Sequence, residues 1–520
     1  MKACRMGIFF IIKVIFIYAP ERYIIVSALE QIYGDIRMKK LSSLEPRKVF
    51  GFFEEITQIP HGSYNLEGIN KYLVNFAKAR NLEYIADDAG NVIIKKPATA
   101  GYENVPGIII QGHMDMVAVC DEGSGIDMKT TPLDIFVDGD LIGAKHTSLG
   151  GDDGIAVAMA LAILDSDDIP HPALDVVITA NEETGMEGAS GLDISNVSAR
   201  RLLNIDSEDE GIFTVGCAGG ARVKCTIDSD ASSLPAGFVT LECKVGGLLG
   251  GHSGTMIGLG RANAGKLMGR ILGAGCAVTA DAVLLNLTGG TADNAIMLEC
   301  IATVAVPGEY ADAFSDAMMD EFKVIAKEYA ETDPGANFGI TKTDKADEVI
   351  KISLKKASDF LNELPFGVIA MSKDIEGLVQ TSLNLGILRS EENKLTAEFS
   401  VRSSIGSERD ELIDRLKGIT SDFGGSNKVT GVYPGWEYRK ESPLRDKMVR
   451  VFKEMYGREP KVEAIHAGLE CGFFMDKASN IDAVSIGPDM QDIHTTSERL
   501  SISSTARTYD YVLKLLADKA

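Results

Sequence analysis

Between residues 45 and 218 short runs of consecutive apolar residues alternate with stretches of helical texture. GIIIQG (107–112), LDVVITA (174–180) and RLLNID (201–206) carry their apolar residues side by side, without polar alternation. A strand with one face in water alternates, and a strand covered on both faces does not. These runs therefore predict central strands. GIAVAMALAILDS (154–166), rich in Ala, Leu and Met, predicts a buried helix. The pattern is that of an α/β domain with helices on both faces of its sheet.

The texture changes after CAGGARVKC (217–225). Amphipathic strands such as VTLECKV (239–245) alternate with amphipathic helices such as ANAGKLMGRIL (262–272) and ADAFSDAMMDEFKVIAKEY (311–329). LTAEFSVRSSIGSERDELIDRLKGI, near residue 395, repeats the strand, turn and helix layout of the segment that begins at VTLECKV. This points to an internally duplicated α+β domain over 219–427. From about 428 the α/β texture returns, with DKMVRVFKEMYG and STARTYDYVLKLLADK as helices and KVEAIHAG and DAVSIG as strands. The expected organisation is an α/β domain in two parts, 38–218 and 428–520, with 219–427 inserted between them.

A chain of 520 residues exceeds what one core usually supports, which agrees with more than one domain. Its net charge of −23 argues against nucleic acid and anionic membrane as partners. The eight cysteines are scattered and form no Cys-x-x-Cys pair, so they read as reduced, buried residues of a cytoplasmic protein. IFFIIKVIFIY (8–18) is too short to span a bilayer comfortably, and no small-x-small cleavage site follows it closely. Residues 1–37 read as an upstream extension, and the working protein as starting near Met38.

In open α/β sheets, sites form beyond the carboxyl ends of the strands. GIIIQG leads into His113-Met114-Asp115, where Asp115 can stand behind the imidazole and fix its tautomer. Gly150-Gly151 precede Asp152-Asp153 at the start of the buried helix. One of these acids suits an N-cap, but two acids after two glycines exceed what a cap needs. LDVVITA delivers Glu182-Glu183, RLLNI delivers Asp206, and AVSIGPDMQDIH delivers His494. Taken alone, each has an ordinary structural explanation, and the glutamate pair reads as two surface charges. Together, His113, Asp152, Glu183, Asp206 and His494 suit two zinc-like ions with one bridging carboxylate. Such ions stand about 3.5–4 Å apart and acidify a water between them. A carboxylate outside the ligand set must take that water's proton, and Glu182 is the candidate. Neighbours on an extended chain point to opposite sides, so Glu183 turns onto a metal and Glu182 toward the water.

GHMDMV, LGGDDGIA, NEETGMEGASGL, NIDSEDEG, CAGG, GGHSG, GRANA, SVRSS, HAGLECG and IGPDMQDIH follow one another in order from Met38 to the C-terminus. In these motifs the chain resembles the bacterial aminoacyl-histidine, or cytosol non-specific, dipeptidases. They belong to the di-zinc exopeptidases, with carnosinases and aminoacylases. The resemblance implies a catalytic domain with a mixed sheet flanked by helices and an inserted α+β lid. It implies that Asp152 bridges the ions, one held with His113 and Asp206 and the other with Glu183 and His494. Asp115 would orient His113, Glu182 would be the general base, and a cis peptide would follow Asp152. Gly-Asp-Asp stands here where relatives often have Ala-Asp-Asn.

Three lid residues match positions near the substrate: His252, which could support an oxyanion, Asn294, and Arg402, which could clamp a terminal carboxylate. Glu470 is assigned to the free α-amine, and His466 to the pocket lining. His61, His146 and His171 match no metal position. The implied function is hydrolysis of unblocked dipeptides, including Xaa-His, with two zinc ions, or cobalt or manganese in their place. A homodimer is compatible with the resemblance. The alternatives are a di-zinc deacylase or tripeptide exopeptidase of the same fold, and a non-catalytic binding protein.

Overall fold

The apolar runs lie side by side in the middle of an eight-stranded sheet. Its order is Glu83–Ala86, Val92–Lys96, Leu174–Thr179, Ile108–His113, Arg201–Asn204, Asp482–Ser485, Ile212–Cys217 and Lys461–Ile465. This is a computed structural model, and it describes residues 40–230, 234, 236–343, 349–391 and 393–520. The extension read at 1–37 lies outside the described residues.

Ile108–His113 runs parallel to both Leu174–Thr179 and Arg201–Asn204, and Asp482–Ser485 runs parallel to Arg201–Asn204. All residues of Ile108–His113 and Leu174–Thr179 are buried, as strands covered on both faces require. The sheet is mixed, because Glu83–Ala86 and Val92–Lys96 add antiparallel strands at one edge. No apolar run of the kind that marks the central strands announces this edge hairpin as a pair. The register sets up the site: His113 is level with Thr179, and Gln111 with Asn204. Three chain segments therefore leave the sheet at one edge, in step.

The predicted buried helix spans Gly151–Leu164 and packs on the Ile108–His113 strand and on the helix Arg47–Thr57. A four-stranded sheet of Ile135–Asp138, Leu141–Ala144, Arg499–Ser501 and Met490–Gln491 frames the loop that carries His494.

A larger sheet follows in chain order. Its antiparallel path is Asn337–Thr343, Phe238–Gly246, Cys300–Pro307, Val283–Gly289, Val379–Glu391, Lys394–Ser403, Gly219–Asp228 and Ser426–Tyr433. Two groups of strands in this sheet are joined by the pairs Thr288–Arg389 and Gly289–Leu388. The helices Ala264–Cys276 and Ala311–Glu328 fill one core with the sheet, including Leu267, Ile271 and Phe314. The first sheet has its own core, drawn from both ends of the described chain. Cys217 and Trp436 exchange backbone hydrogen bonds of 2.9 Å each way, so the segment between them leaves and returns at one point.

Candidate metal centre

The strand edge brings the predicted ligands together. His113 ends its strand, and its Nδ1–H donates to the main-chain carbonyl of Asp115 at 3.0 Å. That bond fixes the tautomer and leaves Nε2 facing inward. Nε2 lies 3.0 Å from Oδ1 of Asp152 and 3.5 Å from Oδ1 of Asp206. His494 approaches from the opposite side, with Nε2 3.1 Å from Oδ2 of Asp152 and 3.1 Å from Oε1 of Glu183. The two oxygens of Asp152 are thus divided between the two histidines. His113 is 1% exposed and the His494 side chain 44%, so the cluster opens toward solvent on the His494 side.

Glu182 and Glu183 each bring a carboxylate oxygen to within 4.8 Å of the other's and of a His113 ring nitrogen. The strand stops at Thr179, and Asn181 takes a left-handed φ of 51°. The two glutamates sit in a turn, so strand alternation no longer governs them. Asp115 aims both, its carboxylate accepting the Glu182 N–H at 3.0 Å and the Glu183 N–H at 3.3 Å. Ser63 Oγ donates to the same carboxylate at 2.8 Å. Asp115 therefore orients His113 mainly through its carbonyl; its carboxylate oxygen is 3.6 Å from Nδ1. Glu182 Oε2 stands 4.0 Å from His113 Nε2.

The Gly-Gly-Asp-Asp turn also differs from the capping expectation. Gly150 is the helix N-cap, with a φ of 68°. Asp152 and Asp153 are non-helical, and the peptide between them is cis. Asp153 Oδ2 accepts the His113 N–H at 3.1 Å instead of capping the helix. Three groups have metal-ligand spacing among the described residues: Asp152 with Glu183 and His494, His113 with Asp153 and Asp206, and His113 with Glu182 and Glu183. Asp153 is thus close enough to compete as a ligand, which the sequence reading did not consider.

Electrostatics in the cluster are dominated by burial and crowded carboxylates. Burial disfavours a charged His113, yet Asp206, Asp115 and Asp152 hold its pKa well above the usual imidazole value. Contacts with Asp152 and Glu183 raise His494 to about 10. Burial works against the Asp152 carboxylate, but both histidines draw its pKa well below the usual range. Asp206 is pushed up to about 6, by burial first and then by Asp152 and Glu183 against His113. Glu182 is raised well above 4.5, chiefly by burial and also by Asp206, Glu470 and Glu183. Cations are scarce in a buried group of this many acids, and divalent ions would relieve the repulsion.

The substrate-binding candidates form a second group. His252 pairs across two short strands with Ala295, and Ser253 N–H donates to the Asn294 carbonyl at 2.8 Å. The Asn294 side chain is exposed. Arg402 NH1 lies 3.4 Å from the Tyr433 hydroxyl, and its buried Nε has no hydrogen-bond partner among the described residues. His466 Nε2 is 2.7 Å from Ser382 Oγ, and burial with the nearby Arg402 cation lowers its pKa to about 4. Tyr433 and Ser382 are additions that the sequence did not signal.

Glu470 is fully buried beside the strands of the metal cluster. Its Oε2 accepts from Gln111 Nε2 and Thr179 Oγ1, both at 2.6 Å, and its Oε1 has no partner among the described residues. The three unassigned histidines have ordinary partners at Nδ1: Ile59 O for His61, Asp121 for His146 and Pro172 O for His171.

The donor set fits a pair of divalent ions. Two imidazoles and three carboxylates converge, and one carboxylate faces both histidines. The sequence profile of Peptidase family M20/M25/M40 matches residues 109–518. The chain is 35% identical to the cytosol non-specific dipeptidase of Escherichia coli over 484 residues, 92% of this chain and 99% of that protein. It superposes on the crystal structure of aminoacylhistidine dipeptidase from Vibrio alginolyticus with a TM-score of 0.86 and 36% identity, covering 92% and 98% of the two chains. Aminopeptidase PepT from Bacillus cereus shares the fold at 17% identity, with a TM-score of 0.54 over 92% of this chain and 99% of that one. The chain belongs to peptidase family M20/M25/M40.

Proposed function

We propose that this protein is a cytoplasmic metallo-dipeptidase that hydrolyses unblocked dipeptides, Xaa-His among them. The observation that carries the reading is the Asp152 carboxylate, with one oxygen toward His113 and the other toward His494. The names of two relatives, 35% and 36% identical to this chain, supply the substrate class. In this reading His113, Asp152 and Asp206 hold one ion, and Asp152, Glu183 and His494 the other. Zinc suits the mixed nitrogen and oxygen donors, and cobalt or manganese fits the same set. Bound there, the pair would supply Lewis acidity and lower the pKa of a water.

The protein's own groups do the rest. Glu182 lies outside the ligand set but within 4.0 Å of His113 Nε2, placed to take a proton from water and return it to the leaving amine. In the metal-free protein, burial and the neighbouring Asp206, Glu470 and Glu183 raise its pKa above 4.5. Arg402, with an unpartnered Nε, receives the terminal carboxylate of the substrate, and His252 and Asn294 border that subsite. The unpartnered Oε1 of Glu470 is assigned to the α-ammonium. Residues 38–218 with 428–520 are read as the catalytic domain and 219–427 as the lid, with the second boundary moved past the strand Ser426–Tyr433, which pairs in the lid's sheet.

Substrate reach separates this function from its rivals. Free dipeptides, tripeptides and N-acetylated amino acids are assayed side by side. Dipeptides should be cleaved at least tenfold faster than either of the others, because the α-ammonium and the carboxylate must both be met. Preference for N-acetylated substrates would make the protein a deacylase.

A further inference from the structure

Three backbone N–H groups converge on one carboxylate where the chain enters the Asp152 turn. Leu149 N–H and Gly150 N–H donate to Glu498 Oε2 at 2.7 and 3.1 Å, and Gly151 N–H donates to Oε1 at 2.7 Å. Glu498 is 3% exposed. The left-handed Gly150 aligns these N–H groups at the start of the Gly151–Leu164 helix, where an acidic partner is favourable. Neither Asp152 nor Asp153 serves as the cap; the task falls to a residue hundreds of positions away. Glu498 stands four residues after His494, at the end of the loop framed by Met490–Gln491 and Arg499–Ser501. Space at the contact is tight: a Cβ on Gly151 would lie 3.3 Å from Glu498 Oε1 and 3.3 Å from Met490 Sδ. One side chain therefore ties the loop that carries His494 to the turn that carries Asp152.

We propose that Glu498 is a positioning residue for the metal centre: its carboxylate fixes the Leu149–Gly151 turn so that Asp152 presents one oxygen to each histidine. This rests on the reading of Asp152 as the bridging ligand. Glu498→Gln keeps the volume but loses one acceptor oxygen, and its amide N–H groups confront N–H donors. Zinc affinity is measured by chelator competition on the full-length wild type, Glu498→Gln and Asp152→Asn, alongside thermal unfolding of the metal-depleted proteins. Glu498→Gln should stay folded and bind zinc about 10- to 100-fold more weakly, as loss of a group that orients a metal ligand does. At saturating zinc, kcat should fall while KM holds. Zinc binding within threefold of wild type would overturn the inference. If Asp152→Asn also retained two ions at wild-type affinity, the bridging assignment itself would fail, and this inference with it. Should Glu498→Gln not fold, hydrogen exchange on the metal-depleted wild type decides: the amides of 149–151 should be strongly slowed, and exchange at open-loop rates would contradict the proposal.

Discussion

His494 Nε2 and Asp152 Oδ2 stand 3.1 Å apart, although 342 residues separate them in the chain. The other oxygen of the same carboxylate lies 3.0 Å from His113 Nε2. Asp152 is thus the joint of the cluster, and its neighbour Asp153 is not. Asp153 accepts one backbone N–H, its other oxygen has no partner among the described residues, and burial raises its pKa well above 3.8. An amide keeps the volume of this carboxyl and the oxygen that accepts the His113 N–H. Asp153→Asn should keep metal content and stay within about threefold of wild-type activity, under 1 kcal/mol. Asp152→Asn should lose at least one ion per chain. Metal analysis after gel filtration distinguishes them, and loss of metal in Asp153→Asn would make Asp153 a ligand.

Glu182→Ala separates proton transfer from metal binding. The variant should retain two ions while kcat falls by about 10²- to 10⁴-fold, the usual contribution of a positioned general base. Near wild-type turnover would remove Glu182 from the mechanism.

Arg402→Ala should raise KM for free dipeptides by about 10- to 100-fold, the worth of hydrogen bonds to a charged group. Arg402→Lys should recover little, since a single ammonium does not replace a guanidinium fork. Dipeptide amides, which lack the carboxylate, should respond to neither substitution. Equal losses on acids and amides would place Arg402 elsewhere in the catalytic cycle.

His466 gives a stability test with a defined sign. Its pKa is lowered from 6.5 to about 4 by burial and by Arg402, so the folded state keeps it neutral. The unfolded chain protonates first as pH falls. The stability that His466 contributes is therefore complete above pH 6.5 and is lost as pH drops toward about 4, by at most about 1.4 kcal/mol per unit. His466→Gln should flatten that part of the denaturation profile relative to wild type. Parallel profiles would show that the Ser382–His466 contact does not depend on the neutral imidazole.

Much of the catalytic sheet and the five proposed ligands were legible because they follow local rules. Unalternating apolar runs mark strands covered on both faces, and acids or histidines just past them mark the carboxyl edge. Less legible was what one residue does to another far along the chain. Glu498 reaches Leu149 across 349 positions, and no local pattern announces it. Asp115 was expected to work through its carboxylate, yet its carbonyl takes the histidine and its carboxylate takes two backbone N–H groups. Strand alternation does not govern Glu182 and Glu183, because Asn181 turns the chain out of the strand before the pair is reached. The edge hairpin is hard to read because both strands are short, four and five residues, and Glu83–Ala86 has no buried residue.

The central claim is a dipeptide hydrolase that works with two ions divided by Asp152. Its most direct test is a zinc titration of chelator-stripped protein while hydrolysis of an unblocked Xaa-His dipeptide is followed. Activity should be absent at the start and should rise to a plateau as two zinc ions bind per chain. Full hydrolysis by the stripped protein, or a plateau at one ion, would contradict the account.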